Sequence, residues 1–162
     1  MISYFNKKSI IILTIFFSSL LVSFVVSIYF FYSPQPIYKI VTFNGLTLLK
    51  EILIRNIICF LWLLCGIISS EFLVYSFFIT NGCMVGIFIS KLENFKYILT
   101  ILPHGILEIY SFLLLSCTVL DILKRNKVIK NDKKKILISF LFLVISAILE
   151  SFLTPLIVVN FT

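Results

Sequence analysis

An all-α, polytopic transmembrane helical bundle is the fold class this sequence predicts, on three observations. Of its 162 residues 60% are hydrophobic and only 13% charged, against about 25% charged in a typical soluble domain. The mean hydropathy is +1.14, more apolar surface than a soluble chain of this length could hide. The apolar residues also fall into five runs, 9–32, 53–70, 72–90, 101–123 and 136–158. Each is near the roughly 20 helical residues needed to cross about 30 Å of hydrocarbon. The chain therefore reads as a single integral membrane domain, 1–162, with about five spans.

Taken in order, the first run comes after Lys7 and Lys8 and has no small-residue cleavage site behind it, which fits an uncleaved anchor rather than a signal peptide. Ser33, Pro34, Gln35 and Pro36 then stop the helix and turn the chain. Residues 37–50 are too polar to span and too apolar for a free linker, and read as a short amphipathic helix along the membrane interface. Glu51 and Arg55, four apart, are placed to pair. Spans two to five come next, and the stretch 124–135 between spans four and five carries seven basic residues. Together with Lys7 and Lys8 these place nine of the fourteen Lys and Arg on one side, so the N-terminus is expected to be cytoplasmic and the C-terminus external. The net charge of +7 is read through this placement. Nucleic-acid binding is excluded as a reading, because the basic residues are not interleaved with aromatics on a polar face. Loops of about 20 and 12 residues leave no room for a soluble domain.

The four cysteines, Cys59, Cys65, Cys83 and Cys117, lie inside apolar runs without a CxxC pair and read as free thiols. The polar residues inside the spans carry more information. An ionisable group at membrane depth costs about 2.5–3.5 kcal/mol on the insertion scale, so it persists where it works or pairs. His104, the one histidine, and Glu108 share a face of span four with Ser111, at i, i+4 and i+7. Span five carries Ser139, Ser146, Glu150 and Thr154 as a second polar stripe. At 1.5 Å per residue Glu108 lies roughly 10 Å and Glu150 roughly 12 Å below the outer rim. His104, Glu108 and Glu150 are thus expected in one outer layer, with Asn81 of span three and Asn56 of span two as further polar groups. Pro103 and Gly105 flank the histidine and Pro155 lies just beyond Glu150, which points to two interrupted helices around a polar cavity. Ser19, Ser23 and Ser27, and the pair Gly82 and Gly86, are small-residue faces that let helices approach closely.

These residues resemble a known family. Asn81 and Gly82 with Gly86, then Pro103, His104, Gly105 and Glu108, then Glu150, Ser151, Phe152, Thr154 and Pro155 look like the NG, PHG(I/L)xE and IEAFxTP segments of the stage II sporulation protein M family, in the same order. The resemblance covers about 56–155, and Ser151 stands where the family often has Ala. It implies a multi-pass protein of the bacterial cell membrane. The family's namesake is a polytopic partner of peptidoglycan-degrading proteins. Its short members, which this chain resembles more, are encoded with circular bacteriocins and implicated in their maturation, export or self-protection.

Three mechanisms are open to such a chain. As a non-catalytic subunit, it would use His104, Glu108 and Glu150 as a hydrogen-bonded cluster that joins spans four and five or lines a path for a hydrophobic peptide. Its partners would be lipid, other membrane subunits, an ATPase or a second copy of itself. As an intramembrane peptidase or peptide cyclase, it would use His104, Glu108 and Glu150 to hold a divalent metal such as zinc, or a buried carboxyl as general base with Asn81 or Asn56 at an oxyanion. Gly82, Gly86, Pro103, Gly105, Ser111, Thr154 and Pro155 would then line or shape the cavity. As an ion-coupled transporter, it would use Glu108 and Glu150 as relays, although no inverted repeat is visible.

Overall fold

The computed structural model describes residues 7–31, 45–92 and 98–154. They form α1 (Lys7–Phe31), α2 (Gly45–Cys65), α3 (Glu71–Ser90), α4 (Ile98–Arg125) and α5 (Lys130–Ile148), and α5 runs on into a π-helical turn at Leu149–Leu153. No strand occurs among the described residues. The segment expected at the interface lies mostly outside them, except that its last residues, from Gly45, open α2.

Helices α1, α3, α4 and α5 are long and apolar enough to cross a membrane. Helix α2 carries Lys50, Glu51 and Arg55 in its first half, and its place comes from its neighbours. Helices α1 and α3 run parallel, because Gly82 meets Phe16 and Ser19, Gly86 meets Leu20 and Ser23, and Ser90 meets Ser27. The chain must therefore cross back between them. Helix α2 makes that crossing: Arg55 is level with Glu150 and Gly66 with Val74 and Val119. Its 21 residues extend about 31 Å. The second helix thus begins at Gly45, eight residues before the apolar run at 53–70, and that extension carries Lys50 and Glu51.

The α1–α3 seam is built from small residues. The hydroxyls of Ser19 and Ser23 donate to the carbonyls of Phe16 and Leu20 at 2.9 and 3.0 Å, and Ser90 donates to Ser27 at 2.7 Å. With their donors satisfied inside α1, Ser19 and Ser23 present a low groove against Gly82 and Gly86. Close packing of this kind substitutes for the hydrophobic drive that lipid removes.

A second pair, α4 and α5, runs antiparallel and is fixed by hydroxyls. Ser111 Oγ donates to Ser139 O and Ser139 Oγ to Ser111 O, both at 2.7 Å, and both serines are buried. Ser139→Ala is expected to cost about 1 kcal/mol, the range of an interhelical hydrogen bond in a membrane bundle. Denaturant unfolding in detergent measures it, and an unchanged midpoint would contradict the reciprocal pair.

The two pairs meet at the basic end. Phe16, Phe78, Phe77 and Phe112 form an edge-to-face chain with centroids 6.4, 5.3 and 5.0 Å apart, which links α1, α3 and α4. Leu63, Leu115, Val119 and Leu143 belong to the same core. Lys8 Nζ reaches Asp121 at 3.0 Å and Ser9 Oγ lies 3.2 Å from Cys117 Sγ, closing α1 on α4.

The basic stretch expected as a loop is mostly helix. Only residues 126–129 connect α4 to α5, and Lys133, Lys134 and Lys135 lie in the first turns of α5. Asp132 is the reason: its carboxylate accepts from the Ile129 backbone N–H at 2.9 Å, which starts the helix early. Asn126 adopts φ 53°, the left-handed turn that ends α4. The expected Glu51–Arg55 pair is not found among the described residues, where ion pairs include Lys8–Asp121 and Arg125–Asp132. Arg55 is instead within electrostatic reach of Glu150, a partner on another helix that spacing alone does not reveal.

Candidate functional site

Away from the basic end the two helix pairs part. Between α3 and α4 they leave a half-open cleft of about 500 Å3, with α1 contributing Phe16 and Phe17 to its floor. Its walls are apolar, among them Phe88 and Met84 on α3 and Ile106 and Ile109 on α4. Three polar side chains, Asn81, His104 and Glu108, border it, with the bare backbone of Gly105 beside them.

His104 sits in the second turn of α4 and is buried. Its carbonyl accepts from Ser146 Oγ at 2.9 Å, and its Nδ1 lies 3.1 Å from Thr154 Oγ1. Both partners belong to the polar stripe of α5, so the two stripes do converge. Helix α4 is not interrupted at Pro103, which lies inside a continuous helix and is exposed. The irregularity falls in α5, where the Thr154 N–H reaches back to Leu149 O, one residue further than in an α-helix. That wider turn contains Glu150 and shifts the rotational register of Thr154 relative to α5, as π-turns commonly do at functional sites. Pro155, the residue expected to break α5, lies outside the described residues.

Glu108 is the hinge of the arrangement. Ten residues into α4, about 15 Å along the axis, it borders the cleft on one side and lies within electrostatic reach of Glu150 and of Cys59 on the other. Glu150 does not border the cleft; it lies behind Glu108, near Arg55. Asn56 and Cys59 share a face of α2 at i, i+3. The Asn56 Nδ2 is buried and has no hydrogen-bond partner among the described residues, a state that costs about 1–3 kcal/mol unless a ligand or water relieves it. Across the cleft, Asn81 Nδ2 donates to Phe77 O at 2.9 Å, so the amide oxygen is the acceptor Asn81 can present.

The geometry sorts the residues expected to line or shape the cavity. Gly82 and Gly86 are buried in the α1–α3 seam and do not line the cleft. Ser111 is locked on Ser139 and is likewise absent from the lining. Thr154 positions His104 rather than lining the cleft. No group of three His, Cys, Asp or Glu side chains close enough to hold a metal ion occurs among the described residues. All four cysteines are free. Two features of the site have no counterpart in the sequence reading: Arg55 as the neighbour of Glu150, and the Phe-rich cleft walls. The only signal for the first is a charge inside an apolar run, and the nearby Glu51 offers it a simpler local partner.

A bundle of apolar helices around polar groups at membrane depth defines a polytopic helical membrane protein. The chain belongs to the stage II sporulation protein M family, whose match spans residues 9–155. The matched region contains every helix from α1 to the π turn apart from the first two residues of α1. No curated protein and no solved structure matches the chain.

Proposed function

We propose that this chain is a non-catalytic subunit of a bacterial membrane machine that holds a hydrophobic helical peptide, of the circular-bacteriocin kind, during maturation, export or self-protection. The observation that carries this reading is the cleft between α3 and α4. It opens sideways among apolar helices, it is apolar like the peptide, and its volume suits several large side chains of a docked helix. A helix laid in an apolar groove is a recurrent mode of peptide recognition. The polar groups at its base are tied into the α4–α5 seam, as a rigid floor requires: His104 is held by Thr154 and Ser146. Other membrane subunits and an ATPase would act on the peptide held there. The preference for a bacteriocin rests on the likeness to short family members.

A photo-crosslinking residue placed at Met84 or Ile106, on the exposed lips of the cleft, tests the reading against one at Ile145, which is exposed on α5 away from it. The probe is a biotinylated 20-residue Leu/Ala helical peptide in bilayer discs. Strong capture at Met84 and Ile106 and weak capture at Ile145 is expected. Equal capture at all three would mean ordinary lipid-like contact and would overturn the proposal.

A further inference from the structure

Among the described residues the charges around the cleft do not balance. Two carboxylates, Glu108 and Glu150, are within electrostatic reach of each other, and one cation, Arg55, serves Glu150. Among the described residues no Lys or Arg makes an ion pair with Glu108. His104, one turn before it, has its Nδ1 engaged with Thr154 instead. An acid at membrane depth is expected to face a partner, and among the described residues none meets Glu108 on the side that opens to the cleft. The surroundings are those of an ammonium site. Asn81 can present its amide oxygen across from Glu108, and Phe77, Phe78, Phe88 and Phe112 line the same space with rings whose faces attract cations.

We infer that the cleft recognises a lysine ammonium group carried on an apolar helical segment, with Glu108 as its counter-ion and Asn81 as a second acceptor. The inference deepens the peptide-holding reading and rests on it. It turns a greasy groove, which any apolar helix could enter, into one that selects a register: the lysine must arrive level with Glu108. A site built for one polar partner rejects the analogue that lacks it far more strongly than an apolar groove distinguishes shapes. The four-carbon lysine stem lies well along apolar walls while its head meets the acid.

The test uses the full chain in bilayer discs of phosphatidylcholine and phosphatidylglycerol, neither of which carries a primary amine. The probes are two fluorescent 20-residue Leu/Ala peptides with one central lysine, free in one and Nε-acetylated in the other. The free lysine peptide is expected to bind at least about tenfold more tightly, the scale of one charge-assisted hydrogen bond. Glu108→Gln should erase that preference, with an unchanged unfolding midpoint in detergent showing that the variant is folded. Glu108→Asp should keep part of it. Equal binding of the two peptides to the unmodified chain would overturn lysine recognition and leave the peptide-holding cleft intact. Binding of neither would remove the cleft reading itself. Loss of the preference on adding phosphatidylethanolamine would assign the site to a lipid amine and overturn the peptide as its occupant.

Discussion

Gly86→Ala is expected to lower the stability of the bundle by about 3 kcal/mol, the upper part of the range for overpacking a tight interface. A Cβ built on Gly86 would stand 2.1 Å from Ser23 Oγ, 2.3 Å from Leu20 O and 3.0 Å from Phe24 N. The hydroxyl can rotate away, but the two backbone atoms belong to α1 and move only if the helix moves. Gly82→Ala meets Ser19 Oγ at 2.0 Å and Phe16 O at 2.5 Å, and should cost nearly as much. Gly66→Ala meets only Leu63 O below 3.0 Å, at 2.9 Å, and should cost about 1 kcal/mol. Ser23→Gly in the Gly86→Ala background should restore only part of the loss, since the Leu20 carbonyl remains in the way. Unfolding midpoints in a denaturing detergent series give the order directly. A Gly86→Ala protein that unfolds with the unmodified chain would show that α1 and α3 do not pack as described.

This seam shows where sequence reading succeeds and where it stops. Glycine and serine at four-residue spacing announce close approach, and both stripes are visible in the sequence, but nothing in either names the other as its partner. Gly82 and Gly86 read either as a close-packing face or as shapers of the cavity next to Asn81, and the structure sets them against α1. The four strongly apolar spans are legible because length and hydropathy act locally. The start of α2 falls eight residues before the expected apolar run because Lys50 and Glu51 look like a boundary. His104, Glu108 and Glu150 stand out because a charge in lipid is costly wherever it lies, and the structure does bring their helices together. The cleft is illegible in the sequence. Phenylalanines that line it and phenylalanines that face lipid have the same chemistry, and only the divergence of α3 from α4 separates them. The π turn is hidden for a related reason: its extra residue is absorbed without any signature residue inside Leu149–Leu153.

Asp132 lies among lysines and reads as part of a solvated loop, yet Asp132→Ala should be among the most damaging single changes at the basic end. Its side chain is 2% exposed and receives Arg125 Nη2 on both carboxylate oxygens at 2.9 Å, together with the Ile129 N–H at 2.9 Å. It also stands at the third residue of α5, where a negative charge opposes the helix dipole favourably. Removing the carboxylate strips Ile129 of its acceptor and Arg125 of its counter-ion. A fully buried pair broken in this way costs about 3–5 kcal/mol. Arg125 is 38% exposed and can recover water, so about 2–3 kcal/mol is the expectation here. Asp132→Asn keeps an acceptor for Ile129 and should cost about half as much. Lys8→Ala removes a pair whose partners are 26% and 33% exposed, and should cost no more than about 1 kcal/mol. The consequence reaches the cleft, because Asp132 fixes where α5 starts and hence the register that pairs Ser139 with Ser111, Ser146 with the His104 carbonyl and Thr154 with its imidazole. Detergent unfolding should therefore rank Asp132→Ala, Asp132→Asn and Lys8→Ala in that order, with peptide binding at the cleft weakened in the first. If Lys8→Ala proved the more damaging, the α1–α4 contact rather than the α4–α5 turn would be what sets the bundle's register.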